Sequence, residues 1–348
     1  MQETPVSVII PARNEEANIA RVVRSLSTQT GIREILVVDD QSQDRTAEIL
    51  AGLASEIPCL RILRVDALPE GWLGKTHAVA QGARTATGEW LLFTDADTEH
   101  LPGSLADLLE RARGEHADLV SLSPGQETPT WWEKSVIPRV YVNLSRLFRF
   151  EDVSDPKLPA AAANGQYLLV RREIYQRSGG HTAVKSEILE DVALARRIRS
   201  LGGKLVFLPG ARWVRTRMYS TFGDMWRGWS KNLYLLYEGK RMLGSVLALW
   251  LLDVLPVLVL IAACLWMALG RGGVRALAVA ILFFLVALGR QWSYARALGR
   301  LGFEPTLANY QPMGSLLVGL LMLNSWRAHR AAGSIEWKGR RYATKGKA

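Results

Sequence analysis

The chain has 348 residues, 49% of them hydrophobic and 22% charged, and a formal net charge of +10 at pH 7. That charge is local: residues 243–348 carry 12 Lys/Arg against 3 Asp/Glu, whereas residues 1–242 are near balance at 31 against 30. The balance excludes nucleic-acid binding by the first two thirds and aims the last third at an anionic phospholipid surface. Cys59 and Cys264 are the only cysteines, which excludes a disulfide framework. The length fits a soluble domain of roughly 200 residues plus an appendage. The opening Met-Gln-Glu-Thr-Pro has neither the basic nor the apolar region of a secretory signal, so the first domain is expected in the cytoplasm.

In chain order, Val6 to Ile10 reads as a continuous apolar strand stopped by Pro11, and Glu15 to Leu26 as an amphipathic helix. Ile35 to Val38 is the next strand, followed by a helix from about Arg45 to Ala54 and a strand at Leu60 to Val65. Thr76 to Ala86 and Ser104 to Arg113 read as helices around a strand at Trp90 to Phe93, with a further strand at Asp118 to Leu122. This alternation predicts βαβ units in a doubly wound, mostly parallel α/β sheet, and the unbroken apolar strands predict helices on both of its faces.

The middle is less regular. Trp131 to Phe150 mixes aromatics with Lys134, Arg139, Arg146 and Arg149, Gln166 to Val170 reads as a strand, and Leu189 to Leu201 as a strong helix. Residues 219–243 carry Phe222, Trp226, Trp229, Tyr234 and Tyr237 among Arg227, Lys231, Lys240 and Arg241. Tryptophan and tyrosine beside cations predict interfacial helices, with Trp226, Trp229 and Tyr234 at headgroup depth. Membrane segments are expected at about 244–269, 273–292 and 312–326. The first has Asp253 as its one charge and is long enough to cross a bilayer; the second reaches that length if Arg275 and Arg290 snorkel. The third is apolar over only part of its length and is expected to lie in the interface or re-enter. Two spans then return the basic tail, 327–348, to the cytoplasm, as the positive-inside tendency favours. The expected organisation is a catalytic domain at 1–218, interfacial helices at 219–243, membrane segments at 244–326 and the tail.

Three acidic signatures point to chemistry. Val37-Val-Asp-Asp40 and Thr94-Asp-Ala-Asp97 each follow an apolar strand, so both put carboxylates at the carboxyl end of a parallel sheet, where ligands bind. The D-x-D of Asp95 and Asp97 suits Mg²⁺ or Mn²⁺ bridging a diphosphate, because hard cations share oxygen ligands with phosphate. Glu190-Asp191 comes about ninety residues later, where a general base enters from outside the nucleotide half. Gly71-Trp-Leu-Gly-Lys-Thr76 ends like a phosphate-binding P-loop, but Pro69 stands where that motif needs its first glycine.

With these motifs in this order, the chain resembles the inverting family 2 glycosyltransferases of GT-A fold. Within them it is most similar to membrane-bound bacterial enzymes of the hopanoid-associated and carotenoid type, relatives of ceramide glucosyltransferase. The likeness runs from about Val6 to Tyr237 and resumes at Ile335-Glu-Trp-Lys-Gly-Arg-Arg-Tyr342. It implies a Rossmann-like catalytic domain followed by interfacial and transmembrane helices, in a multi-pass protein of the bacterial inner membrane. Pro11, Arg13 and Glu15 would sit near the uridine, Asp39 would accept hydrogen bonds from the uracil edge, and Lys75 would face the donor nucleotide. Asp95 would reach ribose or metal, Asp97 would ligate the metal, and Asp191 would be the catalytic base. Gly165, Gln166, Glu190 and His181 would line the acceptor side. Asn14 and Glu15 read equally as caps of the first helix, Asp40 as orienting its loop through Ser42 and Thr46, and His100 as a surface histidine.

The chain departs from the family in one place. The Q/R-x-x-R-W signature of many processive or lipid-acceptor relatives is replaced by Trp226-Arg-Gly-Trp-Ser-Lys-Asn232, where Arg227, Trp229 or Lys231 would substitute in contacting diphosphate or acceptor. The expected activity is therefore metal-dependent, non-processive transfer from a UDP-sugar to a membrane lipid of glycolipid, hopanoid or carotenoid type. The alternatives are transfer to polyprenyl phosphate, whose anionic acceptor has less need of a base, and a nucleotidylyltransferase, whose glycine-rich N-terminal loop is absent here.

Overall fold

In a computed structural model, the described residues are 5–331 apart from 238 and 240, with the strands at 334–337 and 340–343. The chain forms two compact units, one from residues 1–125 and 148–218, the other from 126–147 and 219–348.

In the first unit, β1 (Val6–Ala12), α1 (Ile19–Ser27), β2 (Ile32–Asp39), α2 (Thr46–Glu56), β3 (Leu60–Arg64), α3 (Gly74–Thr85) and β4 (Trp90–Phe93) alternate as expected. The chain continues through β5 (Thr98–His100), α4 (Ser104–Gly114), β6 (Leu119–Ser123) and β7 (Gly125–Gln126), and leaves for the second unit with α5 (Trp131–Leu147). It returns with α6 (Phe150–Ser154), β8 (Leu168–Arg171), α7 (Arg172–Arg177), a 3₁₀ turn at Gly180–Val184, α8 (Glu190–Ser200), β9 (Leu205–Pro209) and β10 (Val214–Thr216). Seven strands form the main sheet in the order β3-β2-β1-β4-β8-β6-β9. All neighbours run parallel except β8, which is antiparallel to both β4 and β6.

Period-two alternation along β1 explains why both sheet faces are covered. Val8 and Ile10 pack with Val22, Leu26 and Leu105 on one side, while Ile9 packs with Val79, Phe93, Leu194 and Ile198 on the other. Register aligns Ala12 with Asp39 and Ile9 with Phe93, so the motif-bearing ends of β1, β2 and β4 share one edge.

The second unit is helical: α9 (Phe222–Leu236), α10 (Met242–Leu249), a π-helical turn (Trp250–Val254), α11 (Leu255–Ala268), α12 (Gly273–Arg300), a 3₁₀ turn (Pro305–Tyr310) and α13 (Gln311–Ala331), then β11 (Ser334–Trp337) and β12 (Arg340–Ala343) as an antiparallel pair. Two helices, Met242–Ala268 and Gly273–Arg300, are long and apolar enough to cross a membrane. They leave Leu258, Leu265, Leu282 and Leu285 exposed, a surface a water-soluble protein rarely tolerates. The third apolar segment lies in a continuous helix whose Ser315, Val318, Leu321, Met322 and Ser325 are buried, and any side chain at Gly314 would collide with the Ser135 carbonyl of α5. Close packing against α5 explains the small residue at this position.

Asp253, on the π-helical turn, is the polar centre of this unit. Its carboxylate accepts from Arg139 Nη2 at 2.7 Å, Arg290 Nη2 at 2.8 Å and Nε at 3.0 Å, Gln311 Nε2 at 2.9 Å and Ser315 Oγ at 2.8 Å. A buried charge needs such partners, and this one has them. Trp229 is 3% exposed and meets Tyr141 edge-on within the unit's core. Tyr234 stacks on His329, and Trp226 lies against Phe222. Lys240, and Lys338 and Gly339 of the basic tail, lie outside the described residues.

Candidate active site

The loops leaving β1 and β2 are laced together by short polar contacts. Asn14 and Gln41 adopt left-handed backbone (φ 54° and 60°), a conformation asparagine tolerates because its side chain hydrogen-bonds locally. Asn14 donates its N–H to Ser42 Oγ at 3.0 Å, and its side-chain oxygen accepts from the Gln43 N–H at 2.8 Å. Arg13 Nη1 donates to the Asp40 carbonyl at 2.7 Å, and Glu15 donates its N–H to Thr46 Oγ1 at 2.8 Å. Asp39 is buried, and its carboxylate accepts from the Ser42 N–H at 3.0 Å.

Asn18 precedes the first helix without a side-chain cap bond, and the Glu15 carbonyl accepts from the Asn18 and Ile19 N–H groups, so Glu15 closes the turn that leads into the helix while Asn14 serves the loop. One expectation is corrected here. The turn through Ser42 is made by Asp39, and Thr46 donates to Asp44, which are the roles expected of Asp40.

At the ends of β1 and β4 a cleft opens, lined by Pro11, Lys75, Asp95, Gly165, His181, Glu190 and Asp191, with Val79, Phe93, Thr94 and Leu168 as its apolar and backbone walls. Lys75 stands at the start of α3, with Nζ 2.7 Å from Asp95 Oδ1 and 3.0 Å from Glu190 Oε1. Burial pulls its pKa down, but the charges of Asp95, Glu190 and Asp191 outweigh that and hold the ammonium well above the ordinary lysine range. One lysine thus ties the D-x-D strand end to the E-D helix start.

Asp191 opens α8, where the helix dipole favours a carboxylate. The Gly165 N–H donates to Oδ2 at 2.8 Å and the Val192 N–H to Oδ1 at 2.7 Å. Burial and the neighbouring Glu190 charge nevertheless raise its pKa from 3.8 to about 6, against the pull of Lys75 and the two backbone donors. A carboxylate with that affinity accepts a proton more readily than an ordinary aspartate. Gly165 leaves room for these groups: a Cβ there would come 3.0 Å from Lys75 Nζ and 3.6 Å from Asp191 Oδ2, crowding the flexible end of the lysine.

Gathered at the cleft are Pro11, Lys75, Asp95, Gly165, His181, Glu190 and Asp191; Arg13, Glu15 and Asp39 hold the adjoining loops. Asp97 follows on the β4–β5 turn, where its carbonyl accepts from Arg21. Among the described residues no three His, Cys, Asp or Glu gather as a metal cage. Asp95, which lines the cleft, and Asp97, two residues on, would still suit a hard cation that takes its remaining oxygens from a diphosphate and water.

Gln166 differs from expectation: its side chain is buried and donates toward Thr216 Oγ1 at 3.5 Å, while its carbonyl accepts from Thr94. His100 is no surface histidine. It is 3% exposed, sits 3.1 Å from Thr94 Oγ1, and burial lowers its pKa to about 3. Arg227, Trp229 and Lys231 belong to the second unit, where Arg227 pairs with Asp224 at 2.7 Å beside the Thr221 cap. Sequence reasoning missed Tyr175, which holds His181, and Thr94, which ties β4 to Gln166; the D-x-D position of Thr94 was the available signal.

Residues 7–179 match the model of Glycosyl transferase family 2. Over 344 residues the chain is 26% identical to the 4,4'-diaponeurosporenoate glycosyltransferase of Staphylococcus aureus strain USA300, spanning 97% of this chain and 88% of that protein. Among solved structures, the mannosyltransferase PcManGT from Pyrobaculum calidifontis, in complex with GDP-Man and Mn²⁺, covers 93% of this chain and 86% of its own, with a TM-score of 0.52 at 17% identity. That second likeness concerns the fold alone, which is the mostly parallel, GT-A-like α/β fold expected above.

Proposed function

We propose that this chain, a glycosyltransferase belonging to family 2, moves a single sugar from a UDP-sugar to a hydroxyl or carboxyl group of a membrane lipid, with inversion at the anomeric carbon. The carrying observation is Asp191, held by the Gly165 and Val192 N–H groups in a cleft shared with Lys75 and Asp95. With a hydroxyl acceptor, its oxygen attacks the anomeric carbon, the bond to the diphosphate oxygen breaks, and Asp191 takes the hydroxyl proton. Lys75 offers fixed positive charge to the departing nucleotide. Asp97 with Asp95 would hold Mg²⁺ or Mn²⁺, which supplies further charge neutralisation of the diphosphate. Pro11, Arg13, Glu15 and Asp39 shape the nucleotide loops.

The relative named for diaponeurosporenoate, similar over nearly the whole chain, supports an apolar acceptor. The two apolar helices support a bilayer as its source. In this reading they form a hairpin that crosses the inner membrane and returns. Its arms, Asp253 to Leu269 and Gly273 to Arg290, are each about 25 Å long at 1.5 Å per residue, near the hydrocarbon thickness of about 30 Å. The Asp253–Arg290 pair then sits at headgroup depth on the cytoplasmic side, not in the bilayer centre.

The test is UDP release by the purified chain across a panel of UDP-sugars, with and without membrane lipid extract. One donor should stand out, and lipid should stimulate release. Release that ignores lipid, or a preference for another nucleotide, would overturn the reading.

A further inference from the structure

His181 stands on the 3₁₀ turn after Gly179 and Gly180, both at positive φ (78° and 51°). A Cβ on Gly180 would meet the Tyr175 ring at 2.5 Å, so glycine there lets the Tyr175 hydroxyl reach the backbone. That hydroxyl accepts from the His181 backbone N–H at 3.1 Å and lies 3.0 Å from His181 Nδ1. Hydrogen-bond accounting then fixes the imidazole proton. Tyr175 is buried, its hydroxyl has one proton to give, and a buried donor is seldom left unsatisfied. Nδ1 is the acceptor within reach, so it carries no proton, and the neutral ring carries its proton on Nε2. Burial and the nearby Lys75 charge keep the ring neutral, lowering its pKa to about 3. The ring meets Phe93 edge-on at 4.8 Å and lines the same cleft as Asp95 and Asp191.

We propose that His181 is a specificity-determining residue, presenting a permanent Nε2–H donor to a hydroxyl oxygen of the sugar being transferred. The inference rests on the donor and base assignments above, because His181 lines the one cleft that Lys75, Asp95 and Asp191 share, where that reading puts the sugar. A neutral donor suits a hydroxyl, whereas a phosphate oxygen, which the same N–H would also satisfy, already has Lys75 beside it. Tyr175 is the positioning residue that fixes the tautomer, and Gly180 makes room for it.

Two measurements test this on the full chain in detergent. The chain has five histidines, so imidazole ¹⁵N spectra with His181→Phe as reference identify the His181 signal. The expected signal is the neutral Nε2–H tautomer, unchanged from about pH 5 to pH 9, and Tyr175→Phe should move it toward a tautomer mixture. An Nδ1–H or charged ring at neutral pH overturns the inference. In titrations with UDP, UDP-glucose, UDP-galactose and UDP-N-acetylglucosamine, His181→Phe should weaken the preferred UDP-sugar by about three- to tenfold, the scale of one neutral hydrogen bond. UDP affinity should be unchanged, and His181→Gln, which restores an N–H at the same reach, should recover most of the loss. Equal weakening of UDP would assign the contact to phosphate, and failure of His181→Gln to recover binding would assign it to ring packing; either overturns the sugar contact. If the wild-type chain binds no UDP-sugar, the donor reading fails instead, and the tautomer signal alone judges His181.

Discussion

Asp191 should set the acidic limb of the activity profile near pH 6. Its pKa stands at about 6 because burial penalises the charge and Glu190 repels it, while Lys75 and the Gly165 and Val192 N–H groups pull it back. The base works ionised, so activity falls as pH drops through that value. Ionisation is about 90% at pH 7 and about 10% at pH 5, with roughly tenfold loss per further pH step. An unperturbed aspartate would stay more than about 90% ionised at pH 5. Glu190→Gln removes the repelling charge and should move the limb to lower pH; Lys75→Met removes the stabilising one and should move it higher. The assay is kcat/KM against pH, following UDP release with a lipid hydroxyl acceptor. A wild-type limb near pH 4, or one that neither variant moves, would refute the role given to this environment. Stability carries the opposite sign. A carboxyl whose folded pKa exceeds its unfolded 3.8 binds more protons when native between about pH 4 and 6, so it costs stability above that window and the cost disappears as pH falls through it. Asp191→Asn should therefore melt no lower than wild type at pH 7 while losing about 100-fold in transfer.

Asp97→Asn should lose most turnover and retain its melting temperature, and chelator should abolish wild-type activity; turnover indifferent to chelator would remove the metal from the scheme. Gly165→Ala places a methyl 3.0 Å from Lys75 Nζ, and because the ammonium end can shift, the expected loss in kcat is about tenfold, the effect of a small misplacement near the chemistry; normal kcat would mean the Lys75 contacts are dispensable. Asp253→Ala strands two guanidinium groups that converge on one buried carboxylate and should destabilise the second unit by about 3–5 kcal/mol, read as a lower melting temperature in detergent; unchanged melting would refute the cluster as a structural centre. For topology, single cysteines in a cysteine-free background at position 271, on the hairpin tip, and at position 340 should differ in sealed cells. An impermeant reagent should reach the first and not the second, and labelling at 340 would restore a third span.

The strands β1, β2, β4 and β6 were legible because each holds an apolar run buried on both faces, although β1 runs through the Pro11 expected to stop it and on to Ala12. β3, at the sheet's edge, is half-buried and was legible from its Leu60, Ile62 and Leu63. The direction of β8 was not. Gln166 to Val170 reads as a strand either way, and only its pairing of Leu169 with Leu92 on one side and Val120 on the other makes it antiparallel. β9 and β10 are short, five and three residues, and gain their order from neighbours distant in sequence.

The same limit divides the site. Carboxylates at strand ends and a helix start announce themselves, because few structural needs put charge there. What tunes them is non-local. Nothing in the Asn164-Gly-Gln166 stretch indicates that the Gly165 N–H will hold Asp191, nor in Gly71 to Thr76 that Lys75 will bridge Asp95 and Glu190. Asp253 makes the point in the second unit. Hydropathy marks it as an isolated charge in an apolar helix, and its burial follows from that. The identity of its partners does not, since Arg139 reads as one more cation in an aromatic-basic helix until α5, α12 and α13 are packed around the π-helical turn. Charge pattern shows where a counter-ion is needed; only the packing selects which cation supplies it.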